Sequence, residues 1–540
     1  MSDALVGRFA RGAGLAAVAA ALAAVPVSVT AGAALASVVL FLPVVGLVAA
    51  AFGTPFASMQ ALSTSGGGLT LTPLLLAWTA LAWLLAELAR RRMPSLDLPL
   101  VTPLAVFLAV LVVAAWHAPQ PVAAGFEIAR WFELALTFLL TASLAAGAAK
   151  ARAVLLALLA AGTAAGSVGL WLARSGVGPE AFTILGGRLV RAYGTFGQPN
   201  PFGGYMNMVW PLGAALVVWW LARALGVDWA ATGREQRAAS AMPEVPAAPA
   251  NASVPTWLAA AGAVAVTVCG AAVLASWSRG AWLAAGVAAL VMAGAVAAGM
   301  VRPGVRGRAG AVALVLLALA LAVPLSGLTA DLPASVAARL GSIVDTFAVW
   351  GVADAEVDDS SFATIERVAH WEAAAAMWAD SPWLGQGPGQ YEIVYDRYRL
   401  PLWAEPLGHA HNYYLHLLAE TGLVGLAGYL AFFGSALLLA VRRAVRPATP
   451  LEGALALGVL GVLAATAAHS LVDNVYVHET TVHLGLALGA MVAAGSIAAR
   501  SATDVSATSA LLASGSAAAR QLAPGPIAGG RRGSPARGAE

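Results

Sequence analysis

The sequence predicts an all-α, polytopic membrane protein of about 12 or 13 transmembrane helices, with one large external loop that contains short helices. The first observation is compositional: 60% of the 540 residues are hydrophobic and only 11% are charged. A soluble domain carries about 25% charged residues, so this chain is expected to have lipid as its main solvent. The second observation is that apolar runs of about 20 residues, the length that crosses a bilayer core, recur along the chain.

The third observation is that basic residues cluster between these apolar runs, which favours the cytoplasmic side for the clusters. The rule places Arg90–Arg92, Lys150, Arg302 and Arg442–Arg443 inside, and the spans alternate consistently from residue 72 onward. The predicted spans cover 12–30, 33–52, 72–89, 99–117, 126–146, 153–173, 203–223, 256–275, 280–299, 309–329, 414–440, 453–472 and 480–499.

The amino terminus is less regular than the rest. Two spans before residue 53 would leave Arg8 and Arg11 outside, against the charge rule, whereas a single long or re-entrant segment would keep them inside. The count of spans therefore stays at 12 or 13.

The spans and linkers divide the chain into four predicted parts. The linker within the first part is rich in alanine and proline, and the last part has low complexity, so both are expected to be disordered and cytoplasmic. The parts are 1–330 with amino-terminal transmembrane helices and the linker 224–255, the external loop 331–411, the carboxy-terminal helices 412–500, and the tail 501–540. The net charge of +3 does not predict a nucleic-acid partner, because the arginines lie at span ends.

Polar residues gather at the predicted outer ends of several spans. Arg279 begins one span in SWSRGAW. It could simply extend its charged end to the membrane interface, but the neighbouring Gly280 would let a ligand or another backbone approach closely. Guanidinium groups bind phosphate oxygens in a bidentate manner, so Arg279 is a candidate for an anionic headgroup.

Arg367 lies in the external loop, where residues 363–379 predict a helix. The arginine falls on the aromatic face of that helix, which again fits an anionic headgroup. The alternative is a solvated charge paired with Glu366 or Glu372. The glycines that follow, in GQGPGQ, predict a tight turn, and a phosphate-binding nest there is a weaker hypothesis.

The stretch GHAHNYYLHLLAETGLVG combines histidines with the start of an apolar helix. His411 and His416 do not share a helical face and no thiolate is nearby, so a metal site is not predicted. His411 is suited to take a proton from a hydroxyl, and Asn412 predicts a helix N-cap. Gly422 and Gly425 lie three residues apart and predict close helix packing. Further candidate substrate contacts on this side are Arg130, Gln198, Asn200, Tyr205, Asn412, His469 and Asp473.

These segments resemble the O-antigen ligase-like family, a superfamily of polytopic membrane glycosyltransferases. HNYYLHLLAETGLVG fits the family signature of a histidine and an amide residue, nine residues and then G-x-x-G. SWSRGAW is similar to the family's Ser-Arg-Gly segment, RVAHWEAAAAMWADSPWLGQGPGQY to its loop helix, and HSLVDN to its late membrane motif. GTFGQPNPFGGY is similar to a segment shared with the polymerase and protein O-oligosaccharyltransferase branches.

The resemblance implies transfer of a glycan from undecaprenyl diphosphate to an acceptor hydroxyl, without a metal or other cofactor. It implies a site facing the periplasm from the cytoplasmic membrane, with His411 as general base and Arg279 and Arg367 as diphosphate-binding residues. The acceptor stays open, because lipid ligation, polymerisation onto a second lipid-linked glycan and protein O-glycosylation share the same leaving group.

An ion-coupled exporter is the alternative from another functional class. Such a protein needs ionisable residues near the middle of the membrane. Here the charges cluster at span ends and no internal repeat is visible, so a transferase is favoured.

Overall fold

A computed structural model describes residues 27–59, 70–93, 96–184, 186–226, 254–300, 349–358 and 361–495. This part of the chain is mainly helical with almost no strand, which confirms the predicted all-α class. The helices are α1 (Val27–Phe41), α2 (Val44–Gly53), α3 (Leu71–Ala89), α4 (Val101–Ala114), α5 (Pro121–Leu144), α6 (Ala148–Ser175), α7 (Pro199–Ala224), α8 (Thr256–Ala275), α9 (Arg279–Met300), α10 (Phe362–Asp380), α11 (Tyr391–Val394), α12 (Tyr413–Val445), α13 (Pro450–His469) and α14 (Thr480–Gly495).

The β structure in the described ranges is one short antiparallel hairpin. Thr183–Ile184 (β1) pairs with Leu189–Val190 (β2), with Thr183 opposite Val190. Short 3₁₀ turns occupy Thr54–Met59, Ala115–His117, Glu180–Phe182, Gly194–Phe196, Val352–Asp354 and Tyr395–Arg397.

Seven of the described helices are long and apolar enough to cross a membrane, which confirms the polytopic class. They are α3, α6, α7, α8, α9, α12 and α13. The predicted span 309–329 lies outside the described residues, as does most of 12–30. The linker between 227 and 253 and the tail from 496 also lie outside them, and the predicted boundaries of the four parts stay predictions.

The bundle is organised around α13. In its most apolar window 94% of the residues are buried inside the protein, against 22% for α3, so α13 is central and α3 is peripheral. Small residues allow the helices around it to approach closely: a Cβ on Gly213 of α7 would lie 2.6 Å from the carbonyl oxygen of Gly262 in α8.

The predicted span 33–52 is interrupted in the structure. α1 ends at Phe41 and α2 begins at Val44, with Pro43 between them. Proline has no N–H to donate and disturbs the preceding helical turn, which explains the break.

The external loop carries the helix predicted at 363–379, which the structure gives as Phe362–Asp380. This helix, α10, packs on the outer part of α12. Met377, Tyr391 and Tyr395 form a small buried core with Ala419 of α12. The loop is therefore attached to the helix that begins just after His411.

The prediction that Gly422 and Gly425 share one face of a regular helix is wrong. Gly422 has φ +62°, so α12 changes direction there. A Cβ at this position would lie 2.3 Å from the backbone of Trp383. Leu423 N–H donates to the carbonyl of Pro382 at 2.9 Å. The glycine thus admits the loop backbone rather than a neighbouring helix.

Candidate active site

One cavity opens at the end of the bundle where α7 and α9 begin and α13 ends. Its wall brings together residues that are distant in sequence, and both predicted diphosphate-binding arginines belong to it. The predicted residues in the wall are Asn200, Arg279, Arg367, His469 and Asp473. Their roles stay predictions, but they do converge on one space.

Arg279 is positioned by the tight connection between α8 and α9. Trp277 adopts φ +51°, a left-handed conformation that is uncommon for a non-glycine residue. Ser278 Oγ accepts a hydrogen bond from Ala281 N–H at 3.4 Å and caps α9. Arg279 is consequently the first residue of α9, at the edge of the cavity.

Arg367 reaches the same cavity from the loop helix α10. Its guanidinium donates to the carbonyl of Ala363 at 2.7 Å, which holds the side chain along the first turns of the helix. Glu372, one predicted partner, instead accepts hydrogen bonds from Gly351 N–H and Val352 N–H at 2.6 and 3.0 Å. The hypothesis of an Arg367–Glu372 pair is therefore not supported.

Arg191 is a third arginine in the cavity wall, and the sequence analysis did not select it. It follows β2, and its Nε donates to the carbonyl of Ser276 at 2.9 Å while Nη2 donates to Asn200 Oδ1 at 3.0 Å. A usable signal was present: Arg191 lies on the predicted outer side, where arginines are expected to be scarce.

His469 occupies the last turn of α13 and forms another part of the wall. A Cβ on Gly280 would lie 2.7 Å from the imidazole of His469. The absence of a side chain at this position therefore leaves room for the ring. The predicted close approach at Gly280 thus involves a side chain of the protein. Neither ring nitrogen of His469 has a hydrogen-bond partner among the described residues.

Asp473 connects the cavity to His411. The Asp473 Oδ1 atom lies 3.5 Å from His411 Nδ1 and 3.8 Å from His409 Nε2. The first distance is long for a hydrogen bond, so the contact is chiefly electrostatic. His411 itself stands behind Asp473 and is not in the wall of the cavity.

The backbone of His411 is held on both sides. His411 has φ +52°, and such strained non-glycine residues cluster at functional sites. Its N–H donates to His409 Nδ1 at 3.1 Å, and its carbonyl accepts from Trp371 Nε1 at 3.2 Å. Asn412 Oδ1 then accepts from Tyr414 N–H and Leu415 N–H, which confirms the predicted N-cap.

Burial and neighbouring charge set the protonation states outside the membrane spans. Burial, together with repulsion from His411, lowers the pKa of His409 to about 3 and that of His370 to about 4. For Asp473, burial opposes ionisation, but the facing His411 outweighs it and holds the pKa of the carboxyl well below its usual range. The site near neutral pH thus contains an ionised Asp473 beside neutral His370 and His409.

His409, His411 and Asp473 also form a group whose potential metal-ligand atoms all lie within 4.8 Å of one another. The hydrogen bonding of His409 does not fit this use. Its Nδ1 accepts the N–H of His411, so the proton of the neutral ring is on Nε2, the atom that faces Asp473. A metal needs the lone pair of that Nε2 atom, and the donor set therefore fits a metal poorly.

Four of the predicted contacts are not among the residues of the cavity wall. Asn412 is the cap described above, and Gln198 is exposed immediately before α7. Tyr205 is fully buried, with its ring 5.2 Å from that of His483. Arg130 forms an ion pair with Glu127 on α5.

The glycine-rich turn after α10 does not form a phosphate nest. Gly387 N–H donates to the carbonyl of Glu420 at 2.8 Å, and Gly389 N–H donates to its carboxylate at the same distance. Tyr391 N–H donates to the other carboxylate oxygen at 2.9 Å. We call the four ionisable residues at this turn the loop clamp; they are Glu127, Arg130, His416 and Glu420.

Comparison with known proteins agrees with the expected family. The family model described as O-antigen ligase matches residues 263–430. The match contains Arg279, Arg367 and His411, whereas Asp473 lies beyond it. No curated protein matches the chain. The family match and the helical membrane fold together support an O-antigen ligase-like family for this chain.

Proposed function

We propose that the protein transfers a glycan from undecaprenyl diphosphate to an acceptor hydroxyl at the outer face of the cytoplasmic membrane. The family match supports the coarser class, an O-antigen ligase or polymerase type of membrane glycosyltransferase. The observation that carries the finer proposal is the shared cavity of Arg279 and Arg367, whose wall includes the partner of His411.

The two arginines would bind the diphosphate of the donor. Breaking the bond between the glycan and the diphosphate leaves negative charge on the departing oxygen. Guanidinium groups fixed at that point stabilise this charge, and they supply the kind of electrostatic help that a metal ion gives elsewhere. Because Arg367 belongs to the loop and Arg279 to the bundle, the two would hold the group from opposite sides.

His411 would act as the general base. Asp473 faces Nδ1 and favours the tautomer with the proton on that atom, which leaves the lone pair on Nε2 for the acceptor hydroxyl. The acceptor oxygen then attacks the anomeric carbon as the diphosphate leaves, with inversion. The Nε2 atom is buried here and has no partner among the described residues. An acceptor would therefore reach it only after nearby side chains move.

The test is transfer by the purified full chain in liposomes that contain an undecaprenyl-diphosphate-linked glycan. We expect that wild-type protein glycosylates one of three offered acceptors: a glycolipid, a second lipid-linked glycan or a protein with exposed Ser and Thr. The acceptor that is modified identifies the branch. The combined variant Arg279→Gln, Arg367→Gln and His411→Ala should be folded and inactive, and activity in this variant would refute the mechanism.

A further inference from the structure

The surface of α12 changes abruptly at Gly422. Every residue from 413 to 422 is buried or half-buried, in the part of the helix against which the external loop packs. From Leu423 onward, exposed residues recur at intervals of three or four, so they lie on one face of the helix. They are Leu423, Ala427, Leu430, Gly434, Leu438 and Val441. The uncovered face of α12 therefore begins at Leu423.

The length of this exposed apolar face matches a bilayer core. Residues 423–441 extend about 27 Å at 1.5 Å per residue, and a hydrocarbon core is about 30 Å thick. The exposed Arg442 follows directly, and basic residues are typical of the end of a span. The exposed face of α12 thus has the dimensions of a lipid contact, and Leu423 is its limit at the end where the cavity opens.

Trp383 of the external loop lies at that limit. Its carbonyl accepts the N–H of Val424 at 3.2 Å, and the carbonyl of Pro382 accepts the N–H of Leu423 at 2.9 Å. The backbone of Trp383 is thereby fixed beside the first turn of the exposed face. The residue is 67% exposed. The loop therefore presents a large aromatic ring at the level where lipid contact begins.

Trp116 lies at the corresponding limit of α4, which packs against α12. The exposed residues of this apolar segment also recur at intervals of three or four, and they include Val106, Ala109, Val113 and Trp116. Trp116 is the last of these and is 93% exposed. The adjoining His117 donates from Nε2 to the carbonyl of Gly385 at 3.0 Å. Trp116 is consequently next to the turn that follows Trp383.

We infer that Trp116 and Trp383 form an anchor in the interface of the bilayer, which holds the external loop and its Arg367 on the lipid surface. Tryptophan favours this interface because its ring is apolar and its indole N–H can bond to headgroups or water. The exposed faces of both helices run directly into the two rings, which favours lipid over a protein partner. The inference depends on the membrane-spanning fold and not on the reaction proposed above.

The depth of spin labels on the full chain in liposomes tests the anchor. Cys269 is the single cysteine of the chain and is buried, so Cys269→Ala provides a background for one label at a time. Trp116→Cys and Trp383→Cys carry the label at the anchor. Leu430→Cys, near the middle of the exposed face of α12, is the reference for the hydrocarbon core. Glu405→Cys, at an exposed charged position of the loop, is the reference for water.

Oxygen dissolves in the bilayer whereas a nickel chelate stays in water, so the ratio of their collision rates with a label rises with depth. We expect the ratios at positions 116 and 383 to be severalfold above that at Glu405→Cys and below that at Leu430→Cys. A ratio equal to that at Glu405→Cys would overturn the inference, because the rings would then lie in water or face a protein partner. A ratio equal to that at Leu430→Cys would also overturn it, because the rings would then lie within the hydrocarbon core.

The native tryptophans provide a second measurement if a labelled variant fails to fold. Lipids brominated just below the headgroup quench the fluorescence of indole rings that lie near them. The double variant Trp116→Phe and Trp383→Phe keeps apolar rings but removes two indoles, so the quenched fraction should fall below that of the wild type. Trp131→Phe is the control, because Trp131 is fully buried and its loss should not lower that fraction. An unchanged fraction in the double variant would contradict an interfacial position.

Discussion

The cavity and the loop clamp lie at the same end of the molecule, but the ionisable residues of the clamp contact one another, whereas those of the cavity line an open space. In the clamp, each acidic group has protein donors: Arg130 pairs with Glu127, and Glu420 accepts two backbone N–H groups. His416 Nε2 lies 3.6 Å from the Glu420 carboxylate. The charged groups of the clamp are therefore paired within the protein, and the clamp attaches the loop to α12.

The cavity wall instead has three arginines for one carboxylate. Arginines that line a concave site can contact an anionic ligand. The difference teaches that an ionisable cluster in a membrane protein is not by itself a functional site. What distinguishes the cavity is the open space that its arginines line.

The two histidines His411 and His416 give the strongest contrast between the regions. His411→Ala should reduce the turnover number for glycan transfer by about 10²–10⁴-fold, because general-base catalysis is lost. His416→Ala should leave transfer within a few-fold of wild type, since its carboxylate partner keeps two backbone donors. Initial rates in liposomes check both values. A greater loss of transfer rate in His469→Asn than in His411→Ala would identify His469 as the general base.

The carboxylate Asp473 offers a second contrast. Asp473→Asn should lower the transfer rate by about 10–100-fold, because the anion no longer stabilises the protonated imidazole of His411. The acidic limb of the pH–rate profile should also move to lower pH. A variant with an unchanged profile would show that Asp473 does not act through His411.

Replacing Glu420 should affect stability more than catalysis. Glu420→Ala leaves the N–H groups of Gly389 and Tyr391 without their acceptors, which costs about 1–3 kcal/mol per buried group. We expect a lower unfolding temperature in detergent and normal transfer by the protein that stays folded. Glu420→Gln, which keeps one acceptor oxygen, should lose less. A large rate loss at unchanged stability would contradict a purely structural clamp.

The smallest expected effect concerns pH. Since the pKa of His370 falls from 6.5 to about 4 on folding, the unfolded chain binds the proton more readily below pH 6.5. Stability should therefore decrease as the pH falls, by about 1 kcal/mol between pH 7 and 5.5 for this residue. His370→Gln should reduce that dependence in thermal unfolding at both values. An equally steep dependence of stability on pH in the variant would show that groups other than His370 cause it.

The sequence predicted that His411, Arg279 and Arg367 lie on the same side, because a membrane sorts helix ends onto two sides. In the structure the two arginines line one cavity with Asp473, and His411 contacts Asp473 from outside its wall. Residues at the same kind of end must then lie at a similar depth, whatever their separation along the chain. The membrane does not dictate lateral position, however. Asn200 reaches the cavity, whereas Tyr205, one and a half turns further along α7, is buried against His483.

Arg191 and Gly422 show what the sequence alone could not supply. The contact between Arg191 and Ser276 joins residues 85 positions apart. It depends on a hairpin whose strands have two residues each, too short to be recognised in the sequence. Gly422 fits the periodicity of a continuous helix, but the approaching backbone of the loop decides its conformation. Tertiary contacts overrode local preference at both positions.

The change of direction at Gly422 has a mechanical consequence. Ala419 and Glu420, before the joint, accept N–H groups of the loop, and Leu423 and Val424, after it, donate theirs to Pro382 and Trp383. The loop is therefore linked to α12 on both sides of Gly422. Tilting of the lower part of α12, as the bilayer thickens or thins, would then move the loop and the outer turns of the helix together. The base at the outer end would keep its distance from Arg367 while the lipid environment changes.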